Sequence, residues 1–344
     1  MKTETWKRIV HMGILFGVLV LLHVLAMHFL EQMRWGDALW VTLTTVTTVG
    51  YGDLSATTAL GRTATVILLY VGGIFILARV VSDYFDFRLE RRDLMIKGFW
   101  RWKMNDHLLL LNCPKNNTEQ YLHRLLDEFQ SNTALTGIPL QLLTYRFPEG
   151  LPEPLRQRGL LLYSGKPGNP ADLQAVDVNK ARHIIVLARD ENDTESDVHT
   201  FNILHRLQEA KVEARIIVEC VEDNNRQRFK KIGAHSVIRP MRAYPGMILQ
   251  SLVSPGSENI FENFMSQKGD HYARYDFPLS GLTWMDVVQT LVAKGVGTPM
   301  AYVDHDGEVI CNPLGTDTVD AQALFIMTRD QGSWGQAEIA GLFS

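Results

Sequence analysis

The sequence is poor in cysteine and has no excess of basic charge. Its three cysteines, Cys113, Cys220 and Cys311, lie far apart and follow none of the spacings that bind zinc. We therefore expect no disulfide framework, and we interpret the cysteines as small buried side chains. The formal net charge of -4 over 344 residues argues against a nucleic-acid partner, because such proteins present a concentrated basic face.

Charged residues are absent from one long stretch near the N-terminus. Residues 9–30 contain no Asp, Glu, Lys or Arg. About 20 apolar residues cross the hydrocarbon layer of a bilayer, so this stretch predicts a transmembrane helix. A signal peptide is disfavoured because the run is too long and no small-residue cleavage site follows it. A second apolar segment, residues 63–81, predicts another span whose single charge, Arg79, lies near its end.

Basic residues flank both predicted spans on the sides away from the segment that joins them. Such residues favour the cytoplasmic side of a membrane. We therefore predict a multi-pass protein of the cell (inner) membrane with both termini in the cytoplasm. The flanking basic residues are Lys2, Lys7, Arg8, Arg88, Arg91, Arg92, Lys97, Arg101 and Lys103.

The segment between the spans must leave and re-enter the outer face. Residues 35–47 predict a helix that is too short to cross, with Asp37 near its N-terminus. The irregular residues that follow it must be buried in protein or line an aqueous cavity. Their sequence, TVGYG, is a known potassium filter in which four chains supply stacked carbonyl oxygens. The predicted filter, with K+ bound at its first four residues, is Thr48, Val49, Gly50, Tyr51 and Gly52.

The residue types in this loop suit a column of backbone oxygens. Gly50 and Gly52 can adopt positive φ at little cost, which lets successive carbonyl groups point along one axis. The Thr48 hydroxyl is expected to add the innermost layer of oxygens. Val49 and Tyr51 are expected to point away from the axis and to pack behind the filter, which would fix its width.

Residues 44–53, TTVTTVGYGD, resemble the pore signature of the two-transmembrane potassium channels. The resemblance implies a homotetrameric pore in which Trp40, Thr44 and Asp53 support the filter. In some bacterial members a Glu occupies the place of Thr44 and bonds to the Asp after the filter. We therefore expect a different network behind this filter, and with it a different slow inactivation.

Two adjacent glycines lie in the second predicted span. Gly72 stands where the resembling family has an inner-helix glycine, so Gly72 and Gly73 are interpreted as a gating hinge. The alternative is close helix packing, because small residues are common where membrane helices meet. The Arg-rich helix of a voltage sensor is missing before the pore, so we expect no voltage sensing.

The pattern changes after residues 83–106, which we interpret as a linker. Continuous apolar runs then alternate with helical segments, and this alternation indicates a parallel sheet that is buried on both faces in a Rossmann-like unit. The predicted strands cover residues 107–112, 140–144, 160–163, 183–188, 215–219 and 235–238, and the first helix covers 118–129.

This layout resembles the RCK domain (regulator of potassium conductance, TrkA-N-like). The predicted fold class is therefore a membrane α-helical two-span pore with a re-entrant helix and filter, followed by a cytoplasmic Rossmann-like α/β domain and a small α/β lobe. In relatives, separate soluble copies complete the ring, and Met95 or Met104 would serve as the internal start. The predicted domains are the pore 1–82, the linker 83–106, the N-lobe 107–240, a helical crossover 241–268 and the C-lobe 269–344.

The usual dinucleotide fingerprint is missing from this domain. Residues 112–118 contain no glycine, although glycines let backbone amides approach a phosphate. Tyr145 and Arg146 stand where an acidic residue would hold a ribose. We therefore disfavour NAD bound in the usual mode, and a basic nucleotide pocket that uses Lys115 and Arg146 stays open.

The calcium motif of gated relatives is also incomplete. The matching positions hold Lys166, Glu219 and Val221, so one carboxylate remains where a hard cation needs several oxygen ligands. We expect Lys166 to pair with Glu219 as a built-in cation. The predicted ligand-site residues are thus Lys115, Arg146, Lys166 and Glu219.

The sequence as a whole predicts a potassium-selective channel subunit whose pore is gated by a cytoplasmic ring that binds an intracellular ligand. No acid/base constellation indicates an enzyme. A non-conducting regulatory subunit and a membrane-tethered nucleotide-dependent enzyme are the alternatives. The expected partners are copies of the chain and membrane lipid. The candidate ligands are a nucleotide, protons, none, or a divalent cation at the acidic residues Glu191, Asp193, Glu195 and Asp197.

Overall fold

The structure is a computed structural model that describes residues 2–239, 243–265, 271–328 and 334–343. The chain divides into two compact units, Met1–Trp100 and Arg101–Ser344. The predicted domain boundaries at 240–241 and 268–269 lie outside the described residues, as do the first and last residues of the chain.

The first unit is helical. Within the described residues, two of its helices are long and apolar enough to cross a membrane. A third, between them, is too short to cross at 1.5 Å per residue. The helices are α1 (Lys2–Leu30), α2 (Trp35–Val46), α3 (Ala59–Thr65) and α4 (Ile74–Ile96), and a π-helical segment (Val66–Gly73) joins α3 to α4 without a break.

The second long helix is longer than the predicted span of 63–81. It begins after Thr58, whose side chain accepts a hydrogen bond from the amide of Gly61, and it continues to Ile96. The first part of the predicted linker is therefore helix. Gly98, at φ 76°, ends it, and the amides of Phe99 and Trp100 fold back onto the carbonyl of Leu94.

A parallel sheet forms the centre of the second unit, in the strand order β3-β2-β1-β4-β5-β6. The predicted Rossmann-like order of strands and helices is confirmed. The sheet is buried on both faces, and every residue of β1 is buried. The strands are β1 (His107–Leu111), β2 (Leu140–Thr144), β3 (Leu160–Ser164), β4 (Ala181–Val186), β5 (Arg215–Glu219) and β6 (Ser236–Ile238).

Helices follow most strands of this sheet and cover its faces. Leu122 and Leu126 of α5 belong to the core on one face, and Ile203 and Leu207 of α8 belong to the core on the other. These helices are α5 (Thr118–Ser131), α6 (Glu153–Gln157), α7 (Pro170–Ala175), α8 (Glu195–Glu209) and α9 (Arg226–Ile232), followed by the pair α10 (Ala243–Val253) and α11 (Ser257–Met265).

An antiparallel sheet of order β7-β10-β8-β9 forms the last lobe. This lobe contains a hairpin turn, in which the amide of Gly307, at φ 82°, bonds to the carbonyl of Asp304. The third cysteine, Cys311, is exposed and not buried as predicted. The elements are β7 (His271–Thr283), α12 (Trp284–Ala293), β8 (Thr298–Val303), β9 (Val309–Cys311), β10 (Thr318–Thr328) and α13 (Gln336–Ala340).

Candidate functional site

The loop after α2 folds back onto the C-terminal end of that helix. The carbonyl of Thr44 accepts hydrogen bonds from the amides of Val49 (3.0 Å) and Gly50 (3.1 Å), and Thr45 accepts from the amide of Thr48 (3.0 Å). These bonds satisfy carbonyl groups that have no partner inside the helix. They attach the start of the loop to the C-terminal end of α2.

The loop contains three residues with left-handed backbone. Gly50 (φ 51°) and Gly52 (φ 77°) adopt the positive φ that was predicted for them. Thr48 (φ 60°) also does so, which was not predicted, because positive φ is unfavourable for a β-branched residue. Local strain of this kind is concentrated at functional sites of proteins.

Trp40 of α2 contacts both the loop and the residue after it. Its indole Nε1 donates a hydrogen bond to Asp53 Oδ2 at 2.9 Å, and its ring stacks on Tyr51 with 5.7 Å between the ring centroids. Thr44 takes no part through its hydroxyl, which donates to the carbonyls of Trp40 and Val41. Thr44 acts on the loop through its backbone carbonyl.

His23 of α1 links α2 to the second long helix, and sequence reasoning gave this residue no role. The side chain is 1% exposed. Its Nδ1 lies 2.8 Å from the hydroxyl of Thr42 on α2, and its Nε2 lies 3.0 Å from the hydroxyl of Thr65 on α3. A histidine inside an apolar span is a signal of function in the sequence, but its partners become known only from the fold.

Gly72 and Gly73 end the π-helical segment. A Cβ atom on Gly72 would lie 2.8 Å from Leu19 Cδ1 of α1, whereas the nearest atom to a Cβ on Gly73 would be 3.4 Å away. The close approach supports the packing interpretation of Gly72. The π-helical segment, a feature that frequently marks functional sites, keeps the hinge prediction open.

Glu31, just after α1, binds the residues that begin α3. Its Oε1 accepts hydrogen bonds from the amide and hydroxyl of Thr58, and its Oε2 accepts from those of Thr57, at 2.6 to 2.9 Å. Desolvation works in the opposite direction, but these bonds lower the pKa of Glu31 to about 2. The carboxylate thus joins the ends of the two long helices.

The second unit has a cavity of about 380 Å³ at the carboxyl ends of its parallel strands. Ligands of open α/β sheets bind in this crevice. The lining side chains are rich in cations and amides and include no carboxylate. They are Asn112, Tyr145, Lys166, Pro167, Gly168, Asn169, Arg189, His199, Asn202 and Ile203.

Several contacts fix the basic wall of this cavity. Arg189 Nη1 donates to His199 Nε2 at 2.6 Å, and its guanidinium lies 5.7 Å from the centre of the Tyr145 ring. A Cβ on Gly168 would lie 2.9 Å from Asn202 Oδ1, so only glycine fits there without a shift. The arrangement places a cationic hydrogen-bond donor and an exposed aromatic ring at the same cavity.

Two family models match the chain. One, described as an ion channel, matches residues 9–89, and the other, described as a TrkA-N domain, matches residues 150–240. The chain joins an ion-channel domain to a TrkA-N domain.

Curated relatives match much of the chain. The probable ion channel SYM8 of Pisum sativum is 26% identical over 94% of this chain and 37% of its own length. The chain thus spans little more than a third of that relative. The calcium-gated potassium channel TvoK of Thermoplasma volcanium is 22% identical over 70% of this chain and 66% of its own length.

A solved structure, the GsuK channel bound to NAD, has a similar fold. It matches 99% of this chain and 60% of its own length at a TM-score of 0.51 and 18% identity. At this identity the likeness shows the fold alone. The two curated relatives are described as ion channels and not as enzymes.

The second unit, Arg101–Ser344, contains the TrkA-N match, and we call it the TrkA-N unit. It brings together only part of the predicted ligand set. Lys166 lines the cavity, but Lys115, Arg146 and Glu219 do not. The amide of Lys115 donates to the carbonyl of Arg189 (2.7 Å), and the amide of Arg146 donates to Thr144 Oγ1 (3.3 Å). The sequence missed Arg189 and His199, which lie far from Lys166 along the chain.

The expected ion pair of Lys166 with Glu219 is wrong. Glu219 Oε1 accepts from the Tyr121 hydroxyl at 3.2 Å, and Oε2 accepts from the amide of Ala188 at 2.8 Å. Burial raises the pKa of Glu219, because desolvation disfavours the charged carboxylate. Glu219, at the end of β5, therefore links α5 to the residues that follow β4. Lys166 lines the cavity instead.

The acidic segment of residues 191–197 offers no cation site in the structure. Asp197 is buried and accepts hydrogen bonds from the amides of Val221 (2.9 Å) and Glu222 (3.0 Å) and from Asn225 Nδ2 (2.8 Å). These bonds use its carboxylate to join α8 to the loop after β5. Across the described residues, no group of three or more His, Cys, Asp or Glu side chains is placed to hold a metal.

Proposed function

We propose that the chain is a potassium-selective channel subunit whose opening is controlled by a ligand of its TrkA-N unit. The observation that carries this proposal is the loop Thr48–Gly52, which follows a short helix between two membrane-length helices. Its two glycines have the positive φ that a column of carbonyl oxygens requires. The family match to ion channels supports it.

The ion-selective step in this proposal uses four copies of the loop. Their carbonyl oxygens and the Thr48 hydroxyls replace the water shell of K+. The C-terminal end of α2 adds partial negative charge, which favours a cation nearby. Val49 and Tyr51 are 54% and 69% exposed in the single chain, so their apolar surface is available to neighbouring subunits. The contacts of Trp40 with Tyr51 and Asp53 hold the loop from behind.

The proposed ligand is an anion such as a nucleotide, bound in the cavity of the TrkA-N unit. Lys166 and Arg189 supply charge-assisted donors to phosphate, and the Tyr145 ring supplies a surface for a base. Phosphate would be held by side chains, since the glycine loop is missing. The GsuK channel was solved with NAD, which supports a nucleotide as the ligand. The basic wall of the cavity argues against a calcium ion, because cationic side chains repel it.

The membrane arrangement is also part of the proposal. Both termini would lie in the cytoplasm of a cell whose inner membrane holds the tetramer in contact with lipid, as the flanking basic residues indicate. Additional soluble copies of the TrkA-N unit, started at Met95 or Met104, would complete the cytoplasmic ring.

A liposome flux assay on the purified full chain tests the proposal. We expect passage of K+ and exclusion of Na+. In Gly50→Ala the selectivity should fall, because an L-residue at φ 51° costs about 1 kcal/mol or more in each subunit.

Gly17→Ala is the matched control. Gly17 lies in α1, and a Cβ there would contact nothing. Sodium flux as fast as potassium flux in the wild type, or assembly in numbers other than four, would contradict the proposal.

A further inference from the structure

The chain that leaves the ion-channel domain is bound to the second unit well before β1. Arg101 Nη2 donates to the carbonyl of Gln174 at 3.1 Å and to Asp177 Oδ1 at 3.3 Å. The amide of Met104 donates to Asp177 Oδ2 at 3.3 Å, and the Met104 side chain is buried. The amide of Asp106 donates to the carbonyl of Lys180 at 2.9 Å.

The carboxylate of Asp177 therefore accepts hydrogen bonds from two residues of this segment, Arg101 and Met104. The Asp177 side chain is only 11% exposed, so its bonds are partly shielded from water and salt. Hydrogen bonds to charged groups are stronger than those between neutral groups. Removal of the carboxylate would also leave the amide of Met104 without its acceptor.

The backbone of Asp177 is suited to this position. It has φ 49°, and it begins a 3₁₀ turn, Val178–Lys180, that leads into β4. Asp is among the few residues other than glycine that adopt this conformation readily. The turn thus connects Asp177 directly to β4, which lies beside β1 in the middle of the parallel sheet.

We propose that Asp177 is a positioning residue for gating, because it binds residues 101–104 to the rest of the TrkA-N unit. A movement of this unit then displaces the chain directly at Arg101. This inference rests on the proposed ligand-gated function. It shortens the connection between α4 and the TrkA-N unit from the predicted 83–106 to residues 97–100, since α4 extends to Ile96. A short connection transmits displacement that a long flexible one would absorb.

The test uses the full chain in liposomes with NAD or ADP as the probe. Asp177→Gly keeps the left-handed backbone and removes the carboxylate. Arg101→Gln removes the ion pair and the bond to the Gln174 carbonyl, and it leaves the bond from the Met104 amide to Asp177 in place. We expect the nucleotide-induced change in K+ flux to fall by about fivefold or more, the lower end of typical allosteric couplings. The nucleotide should still bind, with a Kd that shifts by no more than the lost coupling factor, whereas a general loss of structure would abolish binding. Hydrogen exchange at the Met104 amide should become faster in Asp177→Gly.

Lys180→Ala is the matched control. Its Nζ is 3.8 Å from Asp177 Oδ1, but its side chain bonds to none of residues 101–104, so we expect a wild-type response. A wild-type response in Asp177→Gly with fast exchange at Met104 would overturn the inference. If Asp177→Gly does not fold, Arg101→Gln decides by the same flux measurement.

Other outcomes separate this inference from the proposed function. If the wild type conducts K+ but does not respond to nucleotide, the basal open probability of single channels becomes the measurement. It should differ from wild type in Arg101→Gln and not in Lys180→Ala, and equal values in all three would overturn the inference. If the wild type does not conduct K+, the proposed function fails and the inference fails with it.

Discussion

At the scale of single residues, His23 presents a problem of proton counting. The hydroxyls of Thr42 and Thr65, which contact its two nitrogens, also lie 2.6 Å from the carbonyl of Ala38 and 2.9 Å from that of Gly61. Two hydroxyl protons and one N–H proton of a neutral imidazole can make only three of these four hydrogen bonds. Either one threonine releases its helix carbonyl to donate to His23, or one imidazole nitrogen accepts no hydrogen bond.

This bridge predicts a difference between two substitutions. His23→Leu removes both hydrogen bonds, and polar contacts between membrane helices contribute about 0.6 kcal/mol each, so we expect a loss of about 1 kcal/mol in the free energy of unfolding. His23→Gln keeps a donor and an acceptor and should lose less. Thermal unfolding of the two variants in detergent micelles measures the difference. Wild-type stability in His23→Leu would show that the bridge contributes nothing.

At the scale of helices, the approach of α1 to the π-helical segment separates two interpretations of Gly72. If the glycine serves packing, Gly72→Ala should disturb channel opening because its Cβ would be 2.8 Å from Leu19 Cδ1, and the added substitution Leu19→Ala should restore it. If the glycine is a hinge, Leu19→Ala should not restore opening. Single-channel open probability distinguishes the two.

Gly73→Ala is the control for this experiment. Its Cβ would meet ordinary contacts at 3.4 Å and beyond. We expect wild-type opening under the packing interpretation. A defect in Gly73→Ala as large as that in Gly72→Ala would instead indicate that the backbone freedom of both glycines matters.

The success of sequence prediction differed between elements for physical reasons. The parallel strands were predicted because burial on both faces leaves continuous apolar runs such as residues 108–111. The strand β7 was missed because Pro278 and Gly281 interrupt its pattern. The helix beyond Val81 was missed because hydropathy ends with the membrane, whereas a helix continues as long as its residues favour it.

At the scale of the whole molecule, the two candidate sites differ in how far the sequence could reveal them. The filter loop is contiguous, so its residues are adjacent both in the sequence and in space. The cavity takes Asn112, Tyr145, Lys166 and Arg189 from the ends of four different strands. Only the order of strands in the sheet brings them together, so local patterns could not identify the set.

The cavity predicts the effect of removing one charge. Arg189→Gln should weaken binding of NAD or ADP to the full chain by about tenfold, since a charge-assisted hydrogen bond contributes about 1.5 kcal/mol or more. Titration calorimetry measures the Kd, and the loss should be smaller at high salt because screening already weakens the wild-type interaction.

Lys231→Gln removes the same charge from the exposed surface of α9, away from the cavity. We expect no change in affinity for this control. Equal losses in the two variants would mean that only the overall charge of the protein attracts the nucleotide.

The hydrogen bonds of the Glu31 carboxylate determine how this part of the protein responds to low pH. A depressed pKa means that the group stabilises the fold fully above its ordinary value near 4.5, and that this contribution is lost only as pH falls through about 2. On the proposed outer face, the four hydrogen bonds to Thr57 and Thr58 would thus persist at a pH low enough to protonate ordinary surface carboxylates. The ends of the membrane helices nearest the environment would stay tied together there.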